Sequence, residues 1–140
     1  RFDWVFCVTG QSGLLEIDVE DRADILLTRA DGLVAQLHMD FLQRKATRRC
    51  KVIGEHGNLL WDLVGNSITL ETGSGEKVLF SEPEVDRNAM YLELLRGFID
   101  LAQGRAAPRI AYEDGLAVLT MVDAMRQSAT TGLPVKLPSN

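Results

Sequence analysis

Through about residue 80 the chain sets short runs of β-branched, aromatic and aliphatic residues between Gly, Asn and Asp, with no helical periodicity. That pattern predicts strands joined by turns. The expected strands are Trp4–Thr9, Leu14–Asp18, Ala23–Thr28, Leu33–Phe41, Arg48–Gly54, Asn58–Asp62, Ser67–Glu71 and Lys77–Phe80. Ala30-Asp31-Gly32, His56-Gly57, Gly65-Asn66 and Gly73-Ser74-Gly75 are turn formers between them, and Gly10-Gln11-Ser12-Gly13 reads as a hairpin turn. Leu33, Ala35, Leu37, Met39 and Phe41 fall on one face of their strand, and Val34, Gln36, His38 and Asp40 on the other. One face is core and the other is wet or meets a partner, as in an antiparallel meander.

Beyond Pro83 the period changes. Met90, Tyr91, Leu94, Leu95, Phe98, Leu101 and Ala102 recur at spacings of three and four, which predicts a helix from about Asp86 to Gln103. Asp86 or Asn88 caps its start and Gly104 its end. A second helix is expected from about Glu113 to Thr131; it is apolar nearly all round between Leu116 and Met125 and so should be the more deeply buried. Gly132 and Pro134 end it, leaving Leu133–Leu137 as an extended tail able to add an edge strand. Strands followed by helices predict an α+β fold: an open-faced, largely antiparallel sheet with two C-terminal helices packed on one face. The length, 140 residues, and the lack of a long linker point to a single domain over residues 1–140.

Composition narrows the function. A net charge of -5 argues against general nucleic-acid binding, which draws on a surplus of Lys and Arg. No apolar run approaches the roughly 20 residues that span a bilayer, so no membrane partner is expected. Cys7 and Cys50 lie in apolar stretches and read as buried free thiols, which fits a reducing, cytoplasmic setting.

Candidate chemistry is sparse. The Gly10–Gly13 stretch lacks the third glycine and the following helix of a dinucleotide loop. His38 and His56 do not make a metal pair, and neither has a carboxylate or thiol at ligand spacing, so no metal site is expected. Ser12, Ser67 and Ser128 lack an activating context and read as turn and helix serines. Glu20-Asp21 would point to opposite strand faces and cannot share a proton. The remaining feature is the cation cluster Arg44, Lys45, Arg48 and Arg49. It is either a solvated hairpin tip or a rim that attracts an anionic group through guanidinium forks.

Three stretches in order resemble the carboxy-terminal domain of the glucose-fructose oxidoreductase, inositol dehydrogenase and MocA-like family. They are Val19-Glu20-Asp21 leading through Gly32 to a second strand, then the hairpin from Arg49 to Leu59 with Gly54-Glu55-His56-Gly57 at its turn. The third runs from Asn88-Ala89-Met90-Tyr91 through Phe98-Ile99, Pro108 and Glu113–Leu116 to Gly132-Leu133-Pro134-Val135. The resemblance implies a two-domain dehydrogenase acting on a sugar, sugar derivative or polyol, whose Rossmann domain holds NAD or NADP and is absent from this chain. By the same resemblance no catalytic or cofactor-binding residue lies within residues 1–140, and the chain binds no cofactor and is inactive alone. The domain would close the substrate cleft, and its open sheet face would form a homo-oligomer. The stretch comparable to the family's substrate-proximal hairpin is Gln43 to Thr47, so Gln43, Arg44 and Lys45 are the substrate-side candidates; no tyrosine matches, and Arg44 and Lys45 suggest an anionic sugar. Ala111 stands where relatives often place a Ser or Thr cap, at a local cost of about 1 kcal/mol. The chain's opening at Arg1 on a strand reads as an excised fragment. The other reading is a stand-alone binding or assembly module that uses the exposed sheet face.

Overall fold

The computed structural model describes residues 1–84 and 86–138, and of Arg87 the backbone. The elements are β1 (Trp4–Gly10), β2 (Arg22–Thr28), β3 (Val34–Asp40), β4 (Arg49–Gly54), β5 (Gly57–Asp62), β6 (Ser67–Thr72), β7 (Gly75–Ser81), α1 (Arg87–Ala102), α2 (Tyr112–Thr131) and β8 (Val135–Lys136). The class is α+β with only antiparallel pairing. The strands form two four-stranded sheets, ordered β3-β2-β1-β8 and β4-β5-β6-β7. The ladder breaks after Asp40, because residues 41–48 run as loop and β3 does not pair with β4. The chain correspondingly forms two compact units, residues 1–42 with 109 onward, and Gln43–Pro108.

In the first unit, β1 is the central strand. Val5 and Cys7 on β1 and Ile25 and Leu27 on β2 alternate inward, and with Ala124 on α2 and Leu137 they form the buried core. Helix α2 lies against β1 and β8 through Met121, Ala124, Met125, Ser128 and Ala129, which recur at spacings of three and four. Ser128, fully buried, ties helix to sheet: its hydroxyl accepts the Cys7 amide at 2.9 Å and donates to the Leu133 carbonyl at 2.7 Å. Beyond Val5 strand β8 no longer pairs with β1, so the Cys7 amide needs this partner. The helix ends at Gly132, whose φ of 69° is the left-handed conformation glycine adopts without strain. Its start lacks a side-chain cap at Ala111, but Asp114 reaches back to accept the Ala111 amide at 3.1 Å. The tail adds β8, pairing Trp4 with Lys136 and Val5 with Val135.

Four expectations are corrected here. Leu14–Asp18 is not a strand: β1 pairs directly with β2, and residues 11–21 form one long loop. The side chain of Gln11 donates to the Ile17 carbonyl, and Ser12 donates through its amide and hydroxyl to Asp21. Gly10–Gly13 therefore opens a loop rather than closing a hairpin, and Asp21 is buried there while Glu20 is exposed. On β3 only Ala35 of the expected core face packs on the core; Met39 and Phe41 stay exposed, because β3 is the edge strand and α2 covers β1 and β8. Cys7 is buried, which raises its thiol pKa, but Cys50 is exposed; both are free.

In the second unit, β4 to β7 form a meander with a register shift between Ile68 and Thr69. At the β4–β5 turn Gly57 has φ of 153°, and a Cβ there would stand 2.5 Å from the Glu71 carbonyl oxygen, so the hairpin requires glycine. Helix α1 is capped by the Asp86 carboxylate, which accepts the Asn88 amide at 2.9 Å, and is followed by Gly104 at φ of 70°. Of the two helices expected on one sheet face, α2 is packed on the first sheet. Met90, Tyr91, Leu94, Leu95 and Phe98 of α1 are all exposed, and among the described residues α1 makes no extensive contact with a strand of its unit.

Candidate functional site

The Gln43–Thr47 stretch lies in the loop after β3. Its backbone enters no ladder; the Thr47 hydroxyl donates to the Gln43 side-chain oxygen at 2.8 Å and tightens it. Gln43, Arg44, Lys45 and Arg48 are all exposed, and among the described residues Arg44, Lys45 and Arg48 form no ion pair. Arg49, the fourth cation of the cluster, is already committed to Asp62 at 2.9 Å. Three long cations thus stand near one another in sequence with their charge unspent, in a chain of net charge -5. Such a loop attracts carboxylate or phosphate groups.

The two faces of the second sheet differ in chemistry. Opposed residues of antiparallel strands point the same way. One face carries the row Cys50, Trp61, Ile68 and Phe80, and beside it Val52, Leu59 and Leu70. The other carries Arg49 with Asp62, and Lys51 bonded to Glu71 at 3.1 Å, among the apolar residues Ile53, Leu60 and Val78. Glu71 also accepts from Asn58; these bonds, that of Lys51 first, hold its carboxyl below the usual range. Asp62 is lowered chiefly by the Gly65 amide and then by Arg49. The charged groups of this second face thus satisfy one another, whereas the first face carries the aromatic row and leaves Trp61 48% and Val52 57% exposed.

Among the described residues there is no Rossmann-type cradle for a nicotinamide dinucleotide. Its pyrophosphate needs a strand that runs through a glycine turn into a helix amino terminus. Here β1 leads to a loop and an antiparallel partner, and carboxylates already occupy both helix starts: Asp86 at α1, and Glu113 with Asp114 at α2. Among the described residues no group of three or more His, Cys, Asp or Glu is arranged to hold a metal ion, and no helix is long and apolar enough to cross a membrane.

Sequence reasoning passed over one cluster. His38, read as having no carboxylate at metal-ligand spacing, contacts two: Nδ1 lies 2.6 Å from Asp24 and Nε2 lies 2.9 Å from Asp40. The i+2 spacing of His38 and Asp40 on one strand face was the available signal; the cross-strand register that adds Asp24 was not legible.

No protein-family model and no curated protein sequence matches the chain. Solved structures do. A putative oxidoreductase from Thermotoga maritima is similar over 98% of this chain and 41% of its own, with 17% identity and a TM-score of 0.80. An oxidoreductase from Agrobacterium radiobacter, solved with NAD+, L-tartaric acid and magnesium, is similar over 96% and 43%, with 17% identity and a TM-score of 0.78. Levoglucosan dehydrogenase in complex with NADH is similar over 100% and 46%, with 15% identity and a TM-score of 0.81. The chain spans less than half the length of each. These neighbours are oxidoreductases of the glucose-fructose oxidoreductase, inositol dehydrogenase and MocA-like type, and the chain has the fold of an α+β portion of them.

Proposed function

We propose that this chain is the carboxy-terminal domain of an NAD- or NADP-dependent oxidoreductase that acts on a sugar, a sugar derivative or a polyol. The observation that carries the reading is the near-complete coverage of the chain by less than half of oxidoreductases solved with NAD+ or NADH. A preceding Rossmann domain would deliver the hydride chemistry, for which this chain has no fitting cradle. The domain's own task is to wall the substrate cleft, and it is inactive alone. Expressing the full-length protein and following nicotinamide reduction at 340 nm over a panel of sugars and polyols tests this; turnover is expected only with the preceding domain present. A full-length reading frame without a dinucleotide-binding domain would overturn it and favour the stand-alone binding module.

Gln43, Arg44 and Lys45 are the substrate-side residues of this reading. The unpaired charge of Arg44 and Lys45 supports an anionic sugar such as a uronate. Arg44→Ala and Lys45→Ala in the full-length enzyme are expected to raise KM for an anionic substrate about tenfold and to leave a neutral one unchanged. The apolar face of β4–β7 is the contact with a second copy, which buries Val52, Leu59, Trp61 and Phe80. Light scattering of the full-length protein should give a dimer or higher assembly, and Trp61→Lys should shift it toward monomer.

A further inference from the structure

The loop between β2 and β3 contains the pair Asp31-Gly32, which has a chemistry of its own. A backbone amide that follows an aspartate can attack the side-chain carboxyl carbon. The new C–N bond forms as the C–OH bond breaks, the hydroxyl leaves with the amide proton as water, and the product is a five-membered succinimide. Water then opens the ring at either carbonyl. One opening restores aspartate; the other leaves the main chain running through the side chain as isoaspartate. No oxidant or metal is needed. Glycine gives the amide its least hindered approach, because it has no Cβ. The sequence holds two such pairs, Asp31-Gly32 and Asp114-Gly115, and no Asn-Gly.

The fold treats the two pairs differently. Asp114-Gly115 lies in the first turn of α2, where closing the ring would break helical backbone. Asp31-Gly32 lies in an exposed turn with Gly32 at φ of 92°. There both reacting groups are held, and by one residue. The Arg29 guanidinium grips both oxygens of the Asp31 carboxylate, Nε donating to Oδ1 at 2.8 Å and Nη2 to Oδ2 at 2.5 Å. The Arg29 carbonyl accepts the Gly32 amide, the nucleophile, at 2.9 Å. The Leu33 amide adds a bond of 3.2 Å to Oδ1. The Asp3 carboxylate accepts the Ala30 amide at 2.6 Å and helps keep Arg29 charged. We propose that Asp31-Gly32 is a latent site of isoaspartate formation, locked in the folded hairpin by Arg29, whose guanidinium holds the electrophile and whose carbonyl holds the nucleophile.

Two effects set the strength of the lock. An ionised carboxylate has no good leaving group, so the neutral acid is the form that reacts, and Arg29 first and the Leu33 amide second hold this carboxyl down at about 2. Near pH 7 each unit of depression removes the reactive form about tenfold. Ring closure must also break the Gly32 bond to Arg29, because the amide proton departs. The product would disturb the fold. Isoaspartate inserts one carbon into the main chain at the turn that sets the pairing of Thr28 with Val34, and so the register of the edge strand β3.

The test is ageing of the chain at neutral pH, followed by isoaspartate-specific methyl labelling and peptide mapping. Label at Asp31 should accumulate many-fold more slowly in the folded chain than in urea. Folded Arg29→Gln should acquire it about tenfold faster than the folded wild type, since the fork is lost while the Leu33 amide remains. In urea the two should age alike, which separates the fork from any effect of sequence. Arg29→Lys keeps a cation but not the fork and should fall between them. Arg29 is exposed, so neither change touches the core. Equal rates for folded wild type and folded Arg29→Gln would overturn the proposal. So would a folded wild-type rate that matches the rate in urea, an Asp31 that stays unlabelled in urea, or isoaspartate that arises first at Asp114 in the folded chain.

Discussion

The two units use the same strand chemistry to different ends. In the first, α2 covers one sheet face, and every fully buried hydrophobic residue described belongs to it: Val5, Cys7, Ile25, Leu27, Ala124 and Leu137. In the second, no described residue is buried, all of β4 and β7 is exposed, and α1 shows its apolar side chains to solvent. Both have full antiparallel ladders. Backbone pairing alone therefore makes a sheet, but the hydrophobic driving force acts only where a second layer removes apolar area from water. The first unit supplies its own layer. The second presents an apolar face and an apolar helix, as expected of a surface built to be covered.

The sharpest way to break this contrast is to truncate matched aliphatic side chains in the two sheets. Ile25→Ala should cost about 2–5 kcal/mol in urea unfolding, since Ile25 is 4% exposed within a packed core. Val52→Ala should cost less than about 0.5 kcal/mol in the isolated chain, because its side chain is open to solvent. Equal costs would refute the contrast. Ser128→Ala comes next: it strands the Cys7 amide and the Leu133 carbonyl under α2 and should cost about 1–3 kcal/mol. Hydrogen exchange should then show the Cys7 amide losing protection before amides of β5 and β6 do.

A gain is expected at the helix start. Ala111 already has extended backbone with φ of -77° and ψ of 159°, so Ala111→Ser would supply the missing acceptor and raise stability by about 1 kcal/mol. The smallest effect lies in the β2–β3 turn. Arg29 and the Leu33 amide pull the Asp31 carboxyl down to about 2. A depressed folded pKa adds stability that is present above the unfolded value of about 3.9 and is lost as pH falls through the folded one. Carbon-13 titration of the Asp31 carboxyl, with Arg29→Gln returning it toward the ordinary range, measures this directly.

How much of the fold was legible depended on whether a signal was local. Gly104 and Gly132 ended their helices as expected, because positive φ is a one-residue property. Trp4–Thr9, Ala23–Thr28 and the hairpins from Arg48 to Phe80 matched observed strands within two residues, because alternation and turn formers lie within each run. Leu14–Asp18 failed because a strand also needs a partner, and β2 had already taken the place beside β1. The candidate loop at Gln43–Lys45 was visible as charge; that Arg49 is spent on Asp62 depended on the β4–β5 register. The Asp24 contact of His38 was hidden for the same reason.

Periodicity and turn chemistry, which act over one to eight residues, were enough by themselves to determine the α+β class, the strand-then-helix order, the ends of both helices and the cation-rich loop. Which strands share a sheet, which helix finds a face to cover, and which charges meet were decided by contacts between residues a dozen or more positions apart. A chain pattern specifies which side of an element is apolar; only packing determines whether anything lies against it.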